Sequence, residues 1–178
     1  LCASRLINKN ENFVVILPDD IIMSKIPVTK QLIDLSKKNN YSSVIALEAV
    51  DKKQVYKYGV ISYSKKYGKS YKIMNLVEKP KVSEAPSNLT VVGRYLLNEK
   101  IFENLKKMRS GHNNEVQLTD SLNELIEKPG LFGLKFDGER FDCGNKLGFI
   151  EANLKFGLND KDIKTELKKI IRRIWKLL

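Results

Sequence analysis

The sequence predicts an α/β fold built on a sheet of mixed direction. Short apolar runs alternate with amphipathic stretches of helical period, as layered α/β domains require. Two of the strand-like runs are joined by a tight turn, which inserts an antiparallel hairpin among the crossovers. At 178 residues the chain can bury a substantial core. No internal repeat or low-complexity segment interrupts it.

Taken in order, Leu1 to Ile7 reads as the tail of a helix. The chain opens on Leu rather than Met, and is expected to be truncated on its N-terminal side. Phe13 to Leu17 is wholly apolar and suits a parallel strand buried on both faces. It ends at Pro18-Asp19-Asp20, and the carboxyl ends of strands are where α/β sheets hold ligands. Val28 to Lys38 predicts a helix with Leu32, Ile33 and Leu35 inward, stopped by Asn39-Asn40. Ser43 to Val50 is a strand. Tyr58 to Tyr63 opens a hairpin that turns at Tyr67-Gly68-Lys69-Ser70 and returns through Tyr71 to Val77. That return strand delivers Glu78-Lys79-Pro80. A polar loop from Lys81 to Asn88 leads to a strand over Leu89 to Leu97.

Asn98 can cap a helix reaching about Met108. Ser110 to Asn114 is a loop, and Glu115 to Lys128 a helix broken by Pro129-Gly130. Leu131 to Phe136 is a strand, with Asp142 shortly after. Lys146 to Leu158 and Asp160 to Leu178 are helices, and the second carries Ile163, Leu167, Ile170, Ile171, Ile174, Trp175 and Leu178 on one stripe. Such a stripe packs against its own domain or a second subunit more readily than on a membrane surface.

The formal charge of +11 rests on 26 Lys against 6 Arg. That bias argues against a nucleic-acid partner, where bidentate Arg forks are usual. Tyr56 to Lys72 interleaves five Tyr with five Lys, which a hairpin with one solvated face explains. Cys2 and Cys143 do not make a disulfide framework, so a reducing cytoplasm is expected. No apolar run approaches the ~20 residues that span a bilayer, and no membrane partner is expected. The glycosylation triplets at Asn40 and Asn88 are then chance matches.

Three segments carry chemistry. Glu78-Lys79 after a strand can grip a phosphorylated sugar: the carboxylate accepts hydroxyl protons and the ammonium meets phosphate. The bland alternative is a loop in which Pro80 stops the strand. Asp19 and Asp142 follow two strands and fit Mg²⁺, which takes one or two carboxylates with waters and phosphate. Either is also an ordinary turn former or helix cap. Asp20 is the weaker ligand, since adjacent side chains point apart. Gly59 and Gly93 are turn residues or points of close ligand approach. Gly68-Lys69-Ser70 imitates the end of a phosphate-binding loop, but Tyr63 stands where that motif needs Gly. His112 is the only histidine, so a histidine triad or zinc site is not expected.

In order along the chain stand Phe13-Val14-Val15-Ile16-Leu17-Pro18-Asp19, Tyr58-Gly59-Val60 and Val77-Glu78-Lys79-Pro80. Ala85-Pro86-Ser87-Asn88-Leu89 then runs into Val92-Gly93-Arg94-Tyr95. Glu115-Val116-Gln117-Leu118-Thr119-Asp120 and Asp142-Cys143-Gly144-Asn145-Lys146-Leu147-Gly148 follow. Over nearly its whole length the chain resembles the bacterial UTP–glucose-1-phosphate uridylyltransferases, or UDP-glucose pyrophosphorylases. The resemblance implies a Rossmann-like mixed sheet of the sugar nucleotidyltransferase type, with the inserted hairpin and C-terminal helices. Residues 1–158 would be the sugar- and metal-binding part of one domain, and 159–178 a C-terminal amphipathic helix.

It implies that Asp19 and Asp142 match Mg²⁺-binding positions, that Glu78 receives sugar hydroxyls and that Lys79 meets the sugar phosphate. Gly59 and Val92 would offer backbone contacts to the sugar, and Lys146 a contact to phosphate. Lys79 and Asp142 are thus the expected catalytic residues. The implied reaction is attack of glucose 1-phosphate on the α-phosphorus of UTP, giving UDP-glucose and pyrophosphate. The nucleophile is already anionic, so the want of a catalytic histidine is consistent. Asn114 stands where the family usually has Asp. The family's Gly-rich, Arg-bearing nucleotide loop has no counterpart, so the chain alone is expected to be inactive or nearly so. The intact enzyme would be a homo-oligomer, a dimer or tetramer. The alternatives are a non-catalytic remnant, a basic binding module and a sister enzyme for another nucleotide or sugar.

Overall fold

A computed structural model describes residues 1–40, 42–107, 118–127 and 130–177. By internal contacts the chain divides into two compact units: residues 1–17 with 26–137, and residues 18–25 with 138–178.

The larger unit holds a six-stranded sheet. Its strands are β1 (Asn12–Ile16), β3 (Ser43–Ala49), β4 (Gly59–Tyr67), β5 (Ser70–Glu78), β6 (Leu89–Asn98) and β7 (Leu131–Lys135). The order is β1-β6-β3-β7-β5-β4, with a further pairing of β4 to β6. Among the described residues of this sheet only β3 and β7 run parallel, Ser43 opposite Leu131, and the other pairings are antiparallel. The mixed sheet is as predicted. The β4–β5 hairpin reaches β7 at one end, where Tyr71 faces Gly133, and β6 at the other, where Val60 faces Thr90.

The parallel, doubly buried strand expected at Phe13 to Leu17 is not what forms. β1 pairs antiparallel with β6, Asn12 opposite Asn98 through Ile16 opposite Arg94, and is only half-buried. Its apolar content reflects one covered face, with Phe13 stacked on Phe102 at 5.1 Å. The helix expected at Leu1 to Ile7 is a four-residue 3-10 turn, Cys2–Arg5.

Helix α1 (Val28–Lys38) forms over the predicted span. Leu32 is buried, while Ile33 and Leu35 are half-buried. Asn39 and Asn40 end it, Asn40 in the left-handed region at φ +52. Asn98 caps α2 (Lys100–Lys107), its Oδ1 accepting from the Lys100 amide at 3.2 Å. Of the helix expected over Glu115 to Lys128, the described part is α3 (Leu118–Asn123), followed by turns. Ser110 to Asn114, with His112 and Asn114, and Glu115 to Gln117 lie outside the described residues. The core gathers Ile45 and Leu47 of β3, Ile61, Ile73 and Leu76 of the hairpin, and Leu122 and Leu125. Tyr71 is in that core, edge-on to Tyr63 at 4.9 Å, so the Tyr-Lys segment is a hairpin with one packed face.

The smaller unit pairs β2 (Asp20–Met23), unforeseen in the sequence, with β8 (Glu139–Asp142). Helices α4 (Lys146–Asn159) and α5 (Lys164–Trp175) follow. The apolar stripe expected on the last helix is only partly covered: Leu167 and Ile171 are half-buried, Ile163, Ile170, Ile174 and Trp175 exposed. Leu178 lies outside the described residues. Among the described residues no helix is long and apolar enough to cross a membrane.

Candidate functional site

In the larger unit, β3 lies along one edge of β6, from Ala49 opposite Leu89 to Val44 opposite Leu96, with a register shift between Ile45 and Leu47 that spans Val92 to Arg94 of β6. The other edge is shared. β1 takes Arg94 to Asn98, the Leu17 amide donates to the Gly93 carbonyl at 2.9 Å, and β4 takes Thr90. Between them, among the described residues, Val91 and Val92 face no strand on that edge. On that edge β6 therefore has a break in its pairing, a crevice of the kind where α/β sheets accept ligands.

Local chemistry holds the crevice open. Ser87 Oγ donates to the Ile61 carbonyl at 2.6 Å and accepts from the Leu89 amide at 3.1 Å. Asn88 Nδ2 donates to the Val50 carbonyl at 3.1 Å. Those two side chains tie the start of β6 to β4 and to the end of β3. At the other side Arg94 Nη1 donates to the carbonyls of Leu17, at 3.1 Å, and Gly93, at 2.8 Å. The Pro-Ser-Asn-Leu and Val-Gly-Arg-Tyr segments thus frame the opening.

Glu78 and Gly59 are direct partners in the β4–β5 ladder, so the carboxylate stands at the mouth of the hairpin. A Cβ on Gly59 would lie 3.1 Å from Glu78 Oε2 and 3.6 Å from Val91 Cγ2. Glycine leaves that space for the carboxylate and for a ligand. Glu78 Oε2 accepts from Thr119 Oγ1 at 2.7 Å. Thr119 carries no role in the sequence reading; its only signal is its place in the Gln-Leu-Thr-Asp segment. Lys79 has left-handed backbone, φ +45, which turns it away from the strand direction. Its amide donates to the Tyr58 carbonyl at 3.1 Å, and its side chain is exposed. The larger unit thus brings Gly59, Glu78 and Lys79 together at one ladder end, with the buried Val92 on the crevice floor.

In the smaller unit, Asp19 and Asp142 converge. A Cβ on Gly144 would lie 3.1 Å from Asp19 Oδ2 and equally 3.1 Å from Asp142 Oδ1. The Gly144 amide donates to Asp142 Oδ1 at 3.1 Å, and the Cys143 amide to the Asp19 carbonyl at 2.7 Å. Asn145 caps α4 by accepting from the Gly148 amide at 2.8 Å, and its Nδ2 donates to the Asp142 carbonyl at 3.0 Å. Gly148 is compulsory there, since a Cβ would fall 2.0 Å from the Asp142 carbonyl oxygen. Lys146 is the exposed first residue of α4. Asp20 is the Cα partner of Asp142 but turns inward, where its Oδ1 accepts from Arg140 Nε at 2.5 Å. Adjacent aspartates thus part, one to an ion pair and one to the surface.

Two carboxylates that converge on Gly144 suit an oxygen-seeking cation that keeps waters and phosphate oxygens in its shell. Among the described residues no group of three or more His, Cys, Asp or Glu forms a cage. The donor set therefore fits Mg²⁺ better than a structural zinc.

Residues 1–157 match the family model described as nucleotidyl transferase. The chain belongs to the nucleotidyl transferase family. Within the family it is similar to the UTP–glucose-1-phosphate uridylyltransferase of Staphylococcus epidermidis, 39% identical over 93% of the chain and 57% of that protein. The Staphylococcus haemolyticus enzyme of the same name matches equally, 39% over the same shares. The chain spans under two thirds of the length of these curated relatives. Among solved structures, a UDP-glucose pyrophosphorylase complexed with UDP-glucose is 40% identical at a TM-score of 0.81, covering 89% of the chain and 60% of that structure. A UTP-bound enzyme from Acinetobacter baumannii is 32% identical at a TM-score of 0.84, covering 96% and 59%. The family, the mixed sheet and the helices at its end accord with the sequence resemblance.

Proposed function

We propose that the chain carries the sugar-phosphate and metal parts of a UTP–glucose-1-phosphate uridylyltransferase. The observation that supports this most is the crevice on β6, with a placed carboxylate and an exposed lysine at its mouth. Glu78 accepts hydroxyl protons of glucose, a charge-assisted bond stronger than a neutral one. The Val92 main chain and the bare Gly59 let the sugar approach. Lys79 offsets the charge of the sugar phosphate. Asp19 and Asp142 would hold Mg²⁺, with Lys146 available to phosphate. The ion, when bound, offsets negative charge on the phosphoryl oxygens.

In this reading the phosphate of glucose 1-phosphate attacks the α-phosphorus of UTP, its oxygen forms the new P–O bond, and pyrophosphate leaves. The attacking oxygen is anionic, so the protein supplies position and charge rather than a general base. The UTP and UDP-glucose named in the similar structures agree with the nucleotide substrate and the sugar product of this reaction. Association into a homo-oligomer, through the exposed apolar residues of α5, and a cytoplasmic setting belong to the same proposal.

Calorimetric titration of the chain with glucose 1-phosphate and with UDP-glucose tests the sugar site. Both ligands should bind, and Lys79→Ala should weaken both about tenfold. Binding that ignores Lys79→Ala and Glu78→Gln alike would contradict the assignment.

A further inference from the structure

Glu78 is exposed, and an exposed glutamate samples many rotamers, so something must aim it. The structure supplies a candidate in α3. Asn123 clips that helix to β5: its Oδ1 accepts from the Leu76 amide at 2.8 Å and its Nδ2 donates to the Leu76 carbonyl at 3.0 Å. β7 pairs with β5 only as far as Lys72, so at Leu76 the Asn123 amide stands in for a strand. Thr119 lies four residues earlier, one turn along the same helix face. From there its Oγ1 donates to Glu78 Oε2, two residues beyond the clipped peptide. One helix is thus fastened to the strand's main chain at one turn and to its terminal carboxylate at the next.

We infer that Thr119 is a positioning residue for sugar recognition, acting through Glu78. The inference rests on Glu78 receiving the sugar. The hydroxyl occupies Oε2, on the side where a Gly59 Cβ would stand, and no described residue is seen to bond Oε1, which can accept from a ligand. β-Branching restricts the Thr119 side chain at χ1, so the donor is already in place before a ligand arrives. Ordering the carboxylate in the free protein reduces the entropy lost on binding. Asn123 has a different part, because both ends of its amide are bonded to Leu76 main chain and hold the helix in register.

The experiment compares Thr119→Val, Thr119→Ser and Glu78→Gln in the full 178-residue chain, with UDP-glucose as the probe. Valine keeps the shape and deletes the donor; serine keeps the donor. Binding should weaken about tenfold in Thr119→Val, as for loss of a bond to a charged group, and recover in Thr119→Ser. Thr119→Val combined with Glu78→Gln should be no weaker than Glu78→Gln alone, which a merely structural role would not produce. In the ligand-free chain, ¹³C relaxation should show the Glu78 side chain freed by valine and held by serine. Affinity loss in Glu78→Gln with parental affinity in Thr119→Val overturns the positioning role alone. Parental affinity in Glu78→Gln, or no binding by the unsubstituted chain, overturns the sugar assignment and the inference with it. An unchanged Glu78 order parameter in Thr119→Val overturns the inference whatever the affinities.

Discussion

The β6 crevice and the carboxylate pair are assembled by different means. In the larger unit Gly59, Glu78, Val92 and Thr119 come from two strands of a hairpin, a third strand and a helix, and meet only because the sheet pairs as it does. In the smaller unit the carboxylate of Asp142 is set by its own loop: the Gly144 amide, the Asn145 amide group and the bare Gly148 all lie within six residues of it. Only Asp19 is imported from afar, through a main-chain bond to Cys143 and the β2–β8 register. A site built by register is sensitive to anything that shifts a strand; a site built by a loop answers to its own few residues.

The comparison can be broken most forcefully at Asp20. Its bond to Arg140 joins side chains only 8% and 9% exposed. Removing the carboxylate from this buried pair by Asp20→Ala should cost about 3–5 kcal/mol. Hydrogen exchange should place the loss at the β2 and β8 amides, while glucose 1-phosphate binding persists. Equal loosening of both units would mean that the smaller one has no stability of its own.

Next in size is Asp142→Asn. The amide keeps the shape and most of the loop's hydrogen bonds but drops a charge, so Mn²⁺ affinity, followed by paramagnetic relaxation, should fall about tenfold or more. The thermal midpoint should move little. An unchanged affinity would remove Asp142 from the metal site.

Gly59→Ala sharpens the other side. A methyl group 3.1 Å from Glu78 Oε2 forces the carboxylate to give way by a few tenths of an ångström. Sugar-phosphate affinity should drop several-fold with folding nearly intact, a loss of about 1 kcal/mol. Lys79→Gly should have the smallest effect on stability, within about 1 kcal/mol, since glycine suits φ +45 while loosening the unfolded chain. It should still lose the phosphate contact, which separates the ammonium from the backbone turn that presents it.

The same contrast explains what was legible in the sequence. Alternation of apolar runs and amphipathic stretches located most of the elements, and α1 formed over the predicted residues. Asp142 to Gly148 could be read as a unit because its contacts are local. β1 was misjudged because an apolar run records burial and not direction: Phe13, Val15 and their neighbours look the same in parallel and antiparallel ladders. β2 was hidden behind Pro18-Asp19-Asp20, which reads as the end of a strand rather than the start of another. Thr119 was out of reach since its partner lies 41 positions away, and a threonine on a helix has no periodicity that marks it as a donor. The framing roles of Ser87, Asn88 and Arg94 needed the register of three strands.

The central claim is that the open edge of β6 receives the sugar phosphate. Amide resonances followed during titration with glucose 1-phosphate test it most directly. The account predicts saturable shifts at Gly59, Lys79, Val91, Val92 and Thr119, with Lys79→Ala raising the dissociation constant. Saturable binding that leaves those five amides unmoved would contradict it.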